Sequence, residues 1–255
     1  MNTGKTIVFL HGLGLNKNFW SQTIAHLEDN FRCIAIDLPG HGESRNVHVN
    51  GSMSAYATHV REEIEKLNLS DVTLVGHSMG GQISIILALQ MAGAISKLVL
   101  VSSAGIETFT PDEAEKLKAG TRAIYSNPIS EDMLQRTFHH ARLEIKSMLM
   151  HEHVVQQREN FQSLSKLICS SVEGMLNEPV FAFLDKITQP VLCIYGQLET
   201  AIPNKWLHPQ MTIQQIVQTA KEKIPQCEAE IFPLAGHYLP VDADKMLAQK
   251  IRDFV

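Results

Sequence analysis

A serine set among glycines, Gly76-His77-Ser78-Met79-Gly80-Gly81, follows the β-branched run Val72 to Val75 and precedes the apolar segment Gln82 to Met91. That succession reads as strand, sharp turn, helix. A turn this tight strains the serine backbone and brings neighbours too close for a Cβ at Gly76 or Gly80. It would hold Ser78 Oγ beside the unpaired N–H groups of a helix start, where the N–H of Met79 could meet a developing negative charge. The chemistry is nucleophilic attack; the alternative is a glycine-rich turn between two elements with no chemical role.

A serine hydroxyl is a poor nucleophile at neutral pH, so a base must take its proton and a third group must hold that base in the right tautomer. Of 12 histidines, His237 alone lies on a short loop after a late apolar run, beside Gly236. His11 and His41 belong to turn motifs, and His139, His140, His151 and His153 fall in a long helical stretch. Glu199 stands three residues past Gly196, with Pro203 closing its loop. Ser78, Glu199 and His237 therefore follow one another as nucleophile, acid and base, each just after an expected strand. His151 and His153, two apart, point away from each other on a helix and cannot share a metal. No metal or other cofactor is expected.

The elements that must carry these groups alternate. Strands are expected at Thr6 to Leu10, Phe31 to Ile36, Val72 to Val75, Leu98 to Ser102, Val191 to Tyr195 and Glu228 to Phe232. Helical spacing appears at Phe19 to Leu27, Met53 to Leu67, after the serine turn, at Thr212 to Lys223 and at Asp242 to Phe254. Alternation of this kind predicts an α/β fold whose parallel sheet is covered on both faces and binds ligands at the strands' carboxyl ends. From Ile106 to Lys186 the strands stop and helical stretches take over, at Pro111 to Ala119, Ser130 to Met150 and Val154 to Met175. The organisation expected is a core over 1–105 and 187–255 with a helical lid over 106–186. The methionines of that insertion suit the underside of a lid and equally suit core filling.

At 255 residues with 44% apolar and 19% charged residues, the chain suits one large α/β domain. A net charge of −5 lacks the basic excess of a general nucleic-acid binder. No apolar run approaches the ~20 residues of a membrane span, and Met1 to Lys5 does not read as a signal peptide. The 4 cysteines, Cys33, Cys169, Cys193 and Cys227, form no C-x-x-C motif and read as reduced thiols, which points to a cytoplasmic protein.

With His11-Gly12-Leu13-Gly14, Asp37-Leu38-Pro39-Gly40-His41-Gly42-Glu43-Ser44, the serine turn, Gly196 through Pro203 and Gly236-His237 in view, the chain resembles the lidded serine esterases and lipases of the α/β-hydrolase superfamily over nearly its full length. The resemblance implies an α/β-hydrolase fold, the N–H of Leu13 as a second oxyanion donor beside Met79, and a structural role for the Asp37 to Ser44 turn. It implies hydrolysis of a carboxylic ester or thioester by Ser78, Glu199 and His237. Two features depart from the family. Glu199 stands where Asp is usual, with Glu107 as the alternative acid, and the usual pair of strands ahead of the first one is absent, leaving about six.

Within the family the chain looks most like the carboxylesterases that demethylate a pimeloyl-carrier-protein ester. A carrier-linked substrate would give Arg136, Arg142, Lys146 and Arg158 an acidic partner, although Glu131, Asp132, Glu144 and Glu152 balance them as an ordinary solvated face. Two further classes reuse these residues on this fold: ligand-binding receptors without turnover, and lyases.

Overall fold

The computed structural model describes residues 4–128 and 143–255, with side chains over 4–128 and 159–255. Six strands form: β1 (Thr6–Leu10), β2 (Arg32–Ile36), β3 (Val72–His77), β4 (Ile95–Val101), β5 (Val191–Gly196) and β6 (Cys227–Phe232). They make one sheet in the order β2-β1-β3-β4-β5-β6, parallel at every pairing. The α-helices are α1 (Ser21–Ala25), α2 (Met53–Lys66), α3 (Met79–Gln90), α4 (Pro111–Ile124), α5 (Leu143–Asn177), α6 (Ile213–Lys223), α7 (Leu239–Asp242) and α8 (Asp244–Phe254).

Side chains alternate across a strand, so a sheet covered on both faces needs apolar residues at successive positions. The central strands obey this. Val8, Leu10, Leu74, Leu98, Leu100, Cys193 and Tyr195 point to the face covered by α2, α3 and α6. Ile7, Phe9, Val75, Val99, Val101, Leu192 and Ile194 point to the other, where Phe19, Trp20, Leu27, Leu247, Ala248 and Ile251 meet them. The edge strands β2 and β6 remain partly open, which is why Arg32, Glu228 and Glu230 are tolerated there. The four cysteines are free thiols, and Cys193 and Cys227 lie on adjacent strands with sulfurs 3.6 Å apart.

The departures from the sequence reading have local causes. The helix after Ser78 starts at Met79 rather than Gln82, because Gly80 and Gly81 sit in a crowded first turn where propensity yields to packing. The final helix breaks at Ala243 (φ −145°, ψ 40°), leaving α7 as a short turn whose Asp242 carboxylate accepts the Gly236 N–H at 3.0 Å. Between β4 and β5, α5 is kinked at Asn160 (φ −158°, ψ 76°). The expected helix Ser130 to Met150 lies partly outside the described residues, as do the side chains of Arg136, Arg142, Lys146 and Arg158.

The carboxyl-terminal half of α5 rests on the loops at the sheet's carboxyl edge. Leu167 and Ile168 lie against Gly40 and Gly14, and Tyr56 Oη meets Ser171 Oγ at 2.8 Å. Glu178, just past the helix, accepts the N–H groups of Met53 and Ser54 at 3.1 and 2.9 Å, putting negative charge at the amino end of α2. Polar bonds thus seat the segment on α2, and apolar contacts seat it on the β1 and β2 loops.

Candidate active site

Ser78 stands at the junction of β3 and α3 with φ 53° and ψ −118°, a conformation that side chains rarely adopt. Holding it costs on the order of 1–3 kcal/mol, so the surroundings must over-determine it. They do: the Ser78 N–H donates to Val101 O at 3.1 Å, and its carbonyl accepts from Gly81 and Ala104 at 2.9 and 3.1 Å. A Cβ on Gly76 would run into Gly80 O, and one on Gly80 would stand 2.5 Å from His11 O. Gly76 is therefore required by the close approach of the first turn of α3, and Gly80 by backbone packing against the end of β1.

The loop after β5 and the loop after β6 meet at Glu199 and His237. The imidazole Nδ1 of His237 donates to Glu199 Oε2 at 2.8 Å. The other carboxylate oxygen accepts from Ala201 N at 2.8 Å and Ile202 N at 3.3 Å. Burial alone would raise this carboxyl, but the His237 charge and hydrogen bond, with the Ala201 N–H, outweigh it and hold Glu199 below its usual range. With Nδ1 occupied as a donor, the neutral imidazole leaves Nε2 as its acceptor. Glu107 does not meet His237; its carboxylate engages His208 Nδ1 at 2.5 Å and the Asn204 N–H.

His77 ties these pieces together. Its Nε2 donates to the His237 carbonyl at 2.8 Å, linking the residue before Ser78 to the loop after β6. Two turn histidines, His11 and His41, are buried as well. His11 donates from Nδ1 to Gly12 O and accepts the Leu38 N–H, while His41 donates from Nδ1 to Pro39 O and accepts the Gly14 N–H at 3.2 Å. Each has one donor and one acceptor role, which only the neutral ring can fill. Asp37 accepts from Lys17 N and Glu43 N at 2.7 and 3.0 Å and closes the Asp37 to Ser44 turn. No hydrogen bond among the described residues uses the N–H of Leu13 or Met79.

Burial lowers the pKa of His11 and His77 well below normal, and lowers His41 to about 4. The unfolded chain binds protons at these rings from pH ~6.5 downward while the folded chain refuses them, so stability is full above that pH and is lost as pH falls. For His41 alone the loss between pH 6.5 and 4 is about 3 kcal/mol. A melting temperature followed from pH 7.5 to 4.5 should fall steadily, and less steeply in His41→Gln. A flat profile would contradict neutral burial.

Among the described residues no group of three or more His, Cys, Asp or Glu side chains is arranged to hold a metal ion, and no helix is long and apolar enough to cross a membrane.

The profile of the α/β-hydrolase fold family matches residues 5–244. The chain belongs to that family. A pimeloyl-[acyl-carrier protein] methyl ester esterase from Vibrio vulnificus is 26% identical, with 92% of this chain and 88% of that protein aligned. An uncharacterized protein from Mycobacterium tuberculosis is 38% identical over 104 residues, which is 41% of this chain and only 30% of that relative. The fold of this α/β-hydrolase superposes on a probable hydrolytic enzyme from Pseudomonas aeruginosa with a TM-score of 0.82 at 22% identity, covering 98% of this chain and 85% of the other.

Two interactions of this α/β-hydrolase have little signature in its sequence. His77 reads as one more residue of the serine turn. Glu107 and His208 meet across 101 residues of chain, a pairing that no local pattern carries.

Proposed function

We propose that this α/β-hydrolase cleaves a carboxylic ester or thioester through an acyl-enzyme on Ser78. The observation that carries the reading is the 2.8 Å hydrogen bond from His237 Nδ1 to the buried carboxylate of Glu199, on loops adjoining the strained Ser78 turn. Relatives whose names include a methyl ester esterase and a human monoacylglycerol lipase support hydrolase chemistry of this kind.

In the proposed cycle His237 Nε2 takes the Ser78 proton as Oγ attacks the carbonyl carbon. The N–H groups of Leu13 and Met79 stabilise the oxyanion, and both are free of other acceptors among the described residues. Collapse expels the alcohol or thiol, which leaves with the proton held by His237. Water, deprotonated by His237, then attacks the acyl carbon, releasing the acid and restoring Ser78. Glu199 keeps the ring oriented and balances its transient charge. Residues 106–186 act as a lid over this site, a reading supported by Leu167 and Ile168 resting on the β2 and β1 loops. A methyl ester on an acyl-carrier protein is the finer substrate reading, resting on the Vibrio relative.

The test is a hydrolysis panel of p-nitrophenyl esters from acetate to octanoate, run beside a carrier-linked pimeloyl methyl ester, with fluorophosphonate labelling of the protein. Turnover above background with the label on Ser78 is expected. Background rates throughout with Ser78 unlabelled would sink the hydrolase reading in favour of a ligand-binding role. No release of methanol above background from the carrier-linked pimeloyl methyl ester, with the p-nitrophenyl esters turned over, would remove only the carrier-linked substrate.

A further inference from the structure

Glu199 sits near the start of a long connection from β5 to α6, anchored behind it by Gly196 at the end of the strand. Its own carboxylate folds the next residues back by accepting the Ala201 and Ile202 N–H groups. Two residues further on, a second buried carboxylate from a different part of the chain grips the same loop. Both oxygens of Glu107, at 2.9 and 3.0 Å, accept the Asn204 N–H.

His208, from the far end of that loop, completes the grip. Its Nδ1 lies 2.5 Å from Glu107 Oε1 and its Nε2 lies 3.3 Å from Glu113 Oε1. Its ring stacks on Phe109 with centroids 5.3 Å apart and planes 16° apart. Its N–H donates to Asn204 O at 2.7 Å, and the Asn204 side chain accepts from Leu207 N at 3.0 Å, so residues 204–208 form a closed turn. Burial alone would lower the imidazole, but Glu107 and Glu113 outweigh it and raise the His208 pKa. Lys205, on the same loop, adds a favourable charge toward Glu107. Glu113 is also the third residue of α4, where it forms a capping box with Thr110.

The cluster does not reach His237, and nothing in the reaction cycle uses it. It is nonetheless expensive to build, because Glu107 has a 5% exposed side chain that must be desolvated. We propose that Glu107 and His208 are positioning residues that fix Glu199 against His237 by clamping the acid loop at Asn204, and that Glu113 joins this clamp to α4. The proposal rests on Glu199 acting as the orienting acid. Errors of about 1 Å in such a group cost up to ~10²-fold in rate, so a loop secured on one side only would lose part of that.

The experiment compares Glu107→Ala, Glu107→Gln and His208→Phe, with Glu199→Gln alongside, on a short p-nitrophenyl ester. The second readout is the strongly deshielded proton NMR resonance of His237 Nδ1 against Glu199, assigned by its loss in Glu199→Gln because His208 Nδ1 against Glu107 gives a resonance of its own. His208→Phe keeps a ring on Phe109 but has no nitrogen for Glu107. It is expected to lower kcat about 10-fold with KM within about twofold, and to shift or broaden the His237 resonance. Glu107→Ala should do the same, while Glu107→Gln, whose carbonyl still accepts from Asn204 N, should recover to within about threefold of wild type.

Unchanged kcat and an unshifted resonance in folded His208→Phe would overturn the clamp even if Glu107→Ala fails to fold. If Glu199→Gln is crippled while His208→Phe is silent, the clamp fails and the hydrolase mechanism stands. If Glu199→Gln itself keeps wild-type turnover, the clamp falls together with the assignment of Glu199 as the orienting acid, while hydrolysis on Ser78 stands.

Discussion

Ser78→Ala is expected to lower ester turnover at least ~10⁴-fold while leaving the melting temperature near that of the wild type. The rate loss follows from the proposed cycle, in which Ser78 Oγ is the atom that bonds to the acyl group. The thermal result follows from the backbone. Alanine keeps the Cβ, so the strain at φ 53° and ψ −118° persists, as do the bonds to Val101, Gly81 and Ala104. Glycine tells the two contributions apart. Ser78→Gly should be equally inactive, but it relieves on the order of 1–3 kcal/mol of strain against about 0.5–1 kcal/mol of extra unfolded-state entropy, and so should melt at or above the wild type. Calorimetry on the three proteins measures this order directly. A fall of more than about 5 °C in Ser78→Ala would mean that the hydroxyl supports the fold, and would weaken its assignment as nucleophile.

How far the chain could be read in advance depended on where each signal is stored. Runs buried on both faces, such as Ile7 to Leu10 and Val191 to Ile194, are apolar at every position and mark β1 and β5 almost residue by residue. The edge strand β6 begins with Cys227-Glu228-Ala229-Glu230, half open to solvent, and its start is correspondingly blurred. Ser78 was legible because its tight turn leaves glycines in sequence. Glu199 and His237 were legible because each follows a strand, and the structure brings the two into contact. The kink of α5 at Asn160 and the break at Ala243 were not: at Asn160 a side chain that accepts the Ser163 N–H at 3.1 Å restarts the helix inside a run that otherwise reads as helical. The Glu107–His208 pair lies deeper still: both residues look like ordinary loop polar groups until the fold brings them together.

That contrast between the two glutamates sharpens the expectation for Glu199→Gln, a fall in kcat of ~10² to 10⁴-fold with KM little changed. The carboxylate accepts on both sides, from His237 Nδ1 through Oε2 and from the Ala201 and Ile202 N–H groups through Oε1. An amide has one acceptor and one donor end. If its NH2 faces His237, the ring must turn to the tautomer with Nε2 protonated, and Nε2 can no longer take the serine proton. If its oxygen faces His237 instead, the NH2 confronts two backbone donors in a site where the Glu199 side chain is fully buried. The second arrangement leaves donors facing one another in low dielectric, at a cost of about 1–3 kcal/mol, whereas the first keeps every hydrogen bond at the expense of the working tautomer, so the amide should settle in the first and lose rate with a melting temperature near that of the wild type. Glu199→Asp separates reach from charge. It keeps two acceptors but is one methylene shorter, so it should retain more activity than Gln while losing some of the Ala201 and His237 contact. Steady-state rates and melting curves for both variants decide it: wild-type turnover in Glu199→Gln would mean that His237 is oriented by some other group, and the buried carboxylate would then be a structural anchor for its loop.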